Sequence, residues 1–365
     1  MAAIRIKLLI CTCFLLVSGC SFKDIDKRFF VVTIGVDRSS DDKKPYEVSL
    51  KLAVPNGTPK VADNTFIVVS EQATSISEAI RVIKSKVDKE LDFGHAKVII
   101  LGEKIIHDNL RQTVDFFARR RDIQQIAWMA QGKPDAKTVL LIKPKSERLP
   151  SNSIFLSFGQ AGTQTPFITS TYLFDFRRKL FDEGIDPALP VMQANEEKDL
   201  FSINQAVVIH DQKEVLLNKR QTRMLNVLTN SFSNVGLNVS NDNIHFVVSA
   251  NNPKISYVLH TDGDQPYAAF HVTFKGIIEE SLQDLQAKDM PKYERMAKPA
   301  LAKQVQQFLE DMQKENIDPL GLGMRYRARH TDSVAAEMKA WEGIYPKLRF
   351  QVKADVDLTS TGLTE

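Results

Sequence analysis

The sequence predicts an α+β protein of more than one domain, with mixed sheets packed against amphipathic helices. Three observations carry that expectation. The chain has 365 residues, room for two or three domains of ordinary size. Its composition, 43 % hydrophobic and 25 % charged, is that of a globular protein. It excludes a largely disordered, collagen-like or polytopic membrane chain. Short β-branched or alternating runs are mixed with helical apolar faces, without strict βαβ alternation.

Phe29 to Asp37 (FFVVTIGVD) is rich in β-branched residues and reads as a strand. The polar turn Asp41 to Pro45 separates it from an alternating strand, Tyr46 to Val54, which suits a hairpin. Thr65 to Ser70 reads as a third strand. Ser75 and Glu78 then form a capping box: the Ser75 hydroxyl takes a free helix N–H and Glu78 reaches back. Ile76, Ala79, Ile80, Ile83 and Val87 follow on one face. Lys97 to Leu101 is a buried-type strand, followed by a helix with Ile106, Leu110, Val114 and Phe117 on one side. Ile126 to Ala130 is a further strand. Residues 144–168, rich in Ser, Gly, Gln and Pro, read as irregular and mobile. Thr171 to Asp182 reads as a helix stopped by Gly184 and Pro187.

The polar stretch 194–200 marks the main domain boundary, dividing 20–195 from 196–365. The second part opens with a strand at Ile203 to Ile209 and a helix at Lys219 to Leu228. Strands follow at Ile244 to Ser249, Ile255 to His260 and Tyr267 to Gly276. A long helix runs to about Asn316, with Leu301, Val305, Phe308, Leu309 and Met312 on one face, kinked or started by Pro299. Asp318 to Gly323 is the loop after it; a short helix carries Trp341, and Leu348 to Leu358 is the last strand.

The N-terminus reads as an address. Arg5 and Lys7 form a basic region, Leu8 to Val17 an apolar one, and Val17-Ser18-Gly19-Cys20 closes it. The apolar stretch is shorter than the ~20 residues a membrane-spanning helix needs. It fits a signal peptide over residues 1–19. An aliphatic residue and two small ones before Cys20 form a lipobox: small residues enter a peptidase site, and the thiol takes the lipid. Two or more acyl chains, palmitate among them, hold a body stably, whereas one alone is marginal. The chain's three cysteines, Cys11, Cys13 and Cys20, all lie here, so the body can build neither a disulfide framework nor a cysteine-based zinc site.

The formal net charge is +3, and two of the positive charges, Arg5 and Lys7, fall in the removed segment. Such a balanced surface excludes a nucleic-acid binder. The densest basic run, Arg119-Arg120-Arg121, reads as a solvated helix end. Signatures of catalysis are missing. No P-loop, dinucleotide fingerprint, nucleophile elbow or H-E-x-x-H pattern occurs. No two of the seven histidines have the spacing of a local metal site. His245 and His271 lie in expected strands and read as structural. Asp355 and Asp357 share a strand face that reads as solvated. The residues therefore point to no cofactor, no metal and no catalytic group.

Several segments, in order, carry a family resemblance. They are the lipobox with Cys20, Lys23-Asp24-Ile25-Asp26, the strand Ile34-Gly35-Val36-Asp37, and the run from His95 through Lys97 and Ile99 to Gly102-Glu103. Arg121-Asp122, the Asp318-Pro319-Leu320-Gly321-Leu322-Gly323 loop and Trp341 complete the set. The chain resembles the Ger(x)C family of spore germination lipoproteins, the C subunits of nutrient germinant receptors. One departure is Asn204-Gln205, where members often carry Gly before the strand. The resemblance implies an N-terminal and a C-terminal germination-protein domain. It implies a non-enzymatic, lipid-anchored subunit on the outer face of the cytoplasmic membrane, in the spore the inner membrane. Its partners would be the integral membrane A-type and B-type receptor subunits, with membrane lipid held through Cys20 and no nucleic acid. A solute-binding lipoprotein of a transporter, or a lipid-anchored hydrolase, are the alternatives. The first needs two lobes around a cleft, the second a convergent nucleophile and base. Fold roles are expected for His95, Gly102, Glu103, Gly321 and Gly323.

Overall fold

The computed structural model describes residues 27–361, apart from 54–65, 145–149, 159–164, 198, 230–233 and 242–243. Two mixed sheets organise the α+β architecture. The first is nine-stranded. β1 (Arg28–Arg38) pairs antiparallel with β2 (Tyr46–Ala53), the expected hairpin, and β2 with β3 (Phe66–Ala73). On its other side β1 runs parallel to the short β4 (Glu90–Asp92) and to β5 (Val98–Gly102). β6 (Trp128–Lys133) and β7 (Ala188–Ala194) continue the parallel set. β8 (Phe201–His210) and β9 (Lys213–Leu217) finish the sheet antiparallel. Every residue of β5 is buried, as an apolar run covered on both faces must be.

One face carries α1 (Ile76–Lys84) and α2 (Glu103–Arg119). Ser75 Oγ accepts the Glu78 N–H at 3.2 Å, starting α1 as expected. Glu78, however, reaches the N–H of Thr74 (3.0 Å), one residue earlier than the expected box. In α2, Ile106, Leu110, Val114 and Phe117 are all buried. Asn109 leaves the helical region (φ −135°), so α2 bends after its opening turns.

The opposite face carries α3 (Ala136–Leu141) and α4 (Pro150–Phe158). α4 lies inside the stretch read as irregular. It has no charged first or last turn to mark its ends, and its identity comes from contacts: Phe155 meets Trp128 edge-on at 5.3 Å, and Ile154 and Phe158 are buried beside it. α5 (Leu173–Phe181) returns to the first face. The crossovers β5–α2–β6 and β6–α5–β7 are thus βαβ units, which strict alternation along the whole chain did not suggest.

α6 (Lys219–Leu228) opens on a full capping box between Asn218 and Gln221. The second sheet is five-stranded. β10 (Asn234–Ser240) pairs with β11 (His245–Asn251), and β12 (Lys254–His260) lies beyond a break. Both β11 and β12 pair antiparallel with the long β13 (Tyr267–Ser281). α7 (Met290–Lys314), α8 (Leu322–Arg327) and α9 (Val334–Ile344) precede β14 (Arg349–Leu358), which is parallel to β13. α7 starts with Pro291 in its first turn and runs on through Pro299. It buries Leu301, Val305, Phe308, Leu309 and Met312. β13 alternates buried and exposed residues along most of its length, the pattern of a sheet with one wet face.

β8 is a wall shared by two cores. Val207 and Ile209 pack with α1, α2 and α5, while Ala206 and Val208 pack with α6 and the second sheet. The first sheet therefore runs through the division placed after residue 195. Among the described residues no helix is long and apolar enough to cross a membrane.

Candidate functional site

Two short motifs of the first half meet under α3. Asp37 Oδ1 accepts the Ala136 N–H (2.8 Å) and Oδ2 the Lys137 N–H (2.9 Å), so a strand residue caps a helix about 100 residues later. A Cβ on Gly102 would stand 2.0 Å from Asp37 Oδ1, so only glycine fits there. Burial raises the Asp37 pKa to about 6 against the pull of those two N–H groups. Glu103 follows as the first residue of α2. His95 is exposed, with its ring edge-on to Phe30 and Asp92 at 3.8 Å.

The loop from Asp318 to Gly323 makes a second knot. Asp318 Oδ1 accepts the Leu322 N–H (3.0 Å) and Oδ2 the Gly323 N–H (2.7 Å), opening α8. Its own N–H goes to Asp186 Oδ2 (2.6 Å), and its carbonyl accepts from the Asp186 N–H (2.9 Å). Gly184 and Gly323 lie back to back: the Met324 N–H reaches the Gly184 carbonyl at 2.7 Å. A Cβ on Gly323 would fall 2.6 Å from Trp341 Nε1 and 2.9 Å from the Gly184 Cα. Trp341 stacks between Tyr326 and Tyr345. Desolvation lifts the Asp318 pKa to about 7 and pushes the Tyr345 phenol far up, its hydroxyl donating to the Ile317 carbonyl at 2.6 Å. The loop motif and Trp341 thus have fold roles: they pin the end of α7 to the segment before β7.

Beside this knot lies a cleft of about 640 Å³, lined from both halves by Arg111, Asp186, His210, Gln212, Glu342 and Tyr345 among others. His210 Nδ1 is 2.9 Å from Asp186 Oδ1, and this hydrogen bond raises the His210 pKa. Its Nε2 faces the Asp211 carboxylate at 3.7 Å, so the imidazole is placed as an ion-pair partner and not as a base for a hydroxyl nucleophile.

At the edge of the cleft, His107 meets two carboxylates. The ligand atoms of Glu103, His107 and Glu214 all lie within 4.8 Å of one another. Histidine spacing alone could not show this group, because Glu214 arrives from β9. The readable signal was Glu103 and His107, four apart at a helix start. Burial raises the Glu214 pKa, partly offset by the Gln131 amide at 2.7 Å.

The remaining candidates fall as follows. His271 Nε2 pairs with Asp355 at 2.7 Å, Lys298 reaches the same carboxylate at 3.5 Å, and Asp357 pairs with Lys275 at 3.1 Å. This is a solvated strand face, as expected. His245 Nδ1 meets the Ser240 hydroxyl at 2.6 Å. Arg119 and Arg120 pair with Asp115 and Asp122 at the end of α2. Val17, Ser18, Gly19 and Cys20 lie outside the described residues, as does Lys23 to Asp26.

Both halves match models of one family. Residues 21–194 match the spore germination protein N-terminal domain, and residues 204–362 match the spore germination B3/GerAC-like C-terminal domain. The chain belongs to the Ger(x)C family of spore germination proteins. It is 21 % identical to the putative spore germination protein YfkR of Bacillus subtilis, over 98 % of this chain and 95 % of that protein. Spore germination protein GerQC of Bacillus cereus is 23 % identical over 79 % of this chain and 80 % of its own length. Spore germination protein KC of Bacillus subtilis is 21 % identical over 94 % and 92 %. The crystal structure of the GerBC protein shares the fold, with a TM-score of 0.55 at 16 % identity, covering 89 % of this chain and 96 % of that one.

Proposed function

We propose that the protein is a lipid-anchored, non-enzymatic subunit of a nutrient germinant receptor. It stands on the outer face of the cytoplasmic membrane, in the spore the inner membrane. The observation that carries this reading is the pair of family matches, which begins at residue 21, immediately after Cys20, and runs to residue 362. The lipobox supplies the anchor that this placement requires. The body docks on the A-type and B-type integral membrane subunits and supports the assembly that senses the nutrient. The Asp37 and Asp318 motifs support a scaffold role, since each spends its carboxylate on backbone N–H groups.

The test is a Cys20→Ala variant in the native host, scored by membrane fractionation of spores and by germination with single nutrients. The expected result is loss of the protein from the membrane fraction together with loss of one nutrient response. Full nutrient responses in spores whose protein has left the membrane would overturn the reading, and uptake and hydrolysis assays would then take precedence.

A further inference from the structure

Three features of the group at the edge of the cleft point to a ligand. Glu103 and His107 stand four residues apart in the opening turns of α2, on one helix face. The His107 Nδ1–H donates to the Gln212 carbonyl at 2.8 Å, which leaves the Nε2 lone pair facing Glu214 Oε1 at 3.9 Å. A carbonyl-anchored imidazole of this kind is how proteins orient a metal-ligating histidine. The Glu214 side chain is only 9 % exposed. Its Oε2 accepts from Gln131 at 2.7 Å, but its Oε1 is sealed from water with no hydrogen-bond partner. A buried carboxylate oxygen left this way is costly unless a positive charge meets it.

We propose that Glu103, His107 and Glu214 form a binding site for a first-row divalent cation, Zn²⁺ or Mn²⁺, that clips α2 to β9. Two carboxylates balance the charge of the ion, and the imidazole favours these metals over Ca²⁺ or Mg²⁺, which prefer oxygen alone. Glu103 is the mobile ligand: its side chain is 46 % exposed, and Lys133 Nζ lies 3.9 Å away. The ion displaces that loose pair, and Glu103 closes on it. Glu214 and His107 are fixed in advance by Gln131 and the Gln212 carbonyl. Bonds of ~2.0–2.2 Å require the 3.9 Å gap to close by a few tenths of an ångström.

The experiment strips the purified full chain with a chelator and titrates it with ZnCl₂ or MnCl₂. Calorimetry, elemental analysis and the melting temperature are the readouts. One ion per chain is expected, with a rise in melting temperature. Binding should weaken at least about tenfold in Glu214→Gln and in His107→Ala. His271→Ala, at an exposed histidine–carboxylate pair on the second sheet, should bind as the parent does. His107 is exposed enough that its replacement leaves the fold intact, so that variant decides if Glu214→Gln fails to fold. Absence of binding in the parent chain overturns the proposal. So does unchanged binding in His107→Ala, which would place the ion elsewhere.

Discussion

Asp318 lines the cleft, and Glu214 sits behind His107 at its edge; both are carboxylates withdrawn from water, and they are held in opposite ways. Asp318 divides its oxygens between the Leu322 and Gly323 N–H groups. Glu214 gives one oxygen to Gln131 and leaves the other without a donor. The difference separates a carboxylate that builds the fold from one whose valence is left over for something else. Asp37 sides with Asp318, since both of its oxygens meet backbone N–H groups.

The comparison can be broken most severely at Asp318. Asp318→Ala strands two buried N–H donors, and a loss of about 3–5 kcal/mol in urea unfolding is expected. A loss under about 1 kcal/mol would show that water replaces the carboxylate and that the knot is not structural. Gly323→Ala tests the same knot by crowding. Its Cβ would meet Trp341 and the Gly184 backbone, and about 2–3 kcal/mol with altered near-ultraviolet dichroism of Trp341 is expected. An unchanged spectrum and midpoint would mean that the two backbones separate freely.

Proton linkage gives an effect of defined sign. The folded-state pKa values of Asp37 (about 6) and Asp318 (about 7) stand above the unfolded value of 3.8. Glu214 and His210 are shifted in the same direction. The folded chain therefore holds protons that the unfolded chain releases. Stability from these groups is complete below the unfolded values and is lost as pH rises through the folded ones. The depressed carboxylates, such as Asp92 and Asp175, oppose this only in more acid solution. The melting temperature should fall between pH 5 and pH 7; above pH 7 the Lys51 amine, lowered to about 7 by burial, acts in the opposite sense. Asp37→Asn should flatten the profile, and a melting temperature that climbs over this range contradicts the assignment. The smallest effect belongs to Glu214→Gln without metal, which should be neutral or stabilising by up to about 1 kcal/mol because it removes an unmet charge. A loss above about 2 kcal/mol would make Glu214 a structural carboxylate like Asp318 and erase the distinction.

Much of this architecture is legible in the chain. β1, β2, α1, α6 and β14 fall within a few residues of their expected places, because alternation and capping residues are local signals. β7 was hidden by Pro190, which argues against a strand. It lies opposite Ala206, whose N–H is met by Thr222 Oγ1 at 3.0 Å outside the sheet. The short β4 and β9 carry too few residues to stand out, whereas β10 alternates cleanly, with Val235, Leu237 and Val239 buried, and is legible in the chain. α4 is defined by its packing on Trp128, which local sequence does not encode. The Asp318 loop could be read as a turn after a helix, but its docking on Gly184 joins residues far apart in the chain. The metal group is hidden for the same reason: its helix half is readable, and its strand half is supplied by topology alone.

The shared strand β8 also sets an order of events during synthesis. The chain emerges from its N-terminus, and the first sheet stops at β7 until residues 201–217 have followed. Through that interval the edge of β7 presents unpaired backbone groups, a template for pairing with the wrong chain. A product truncated after residue 195 would keep that edge permanently. Completion of the first module is therefore timed by residues that the sequence assigns to the second.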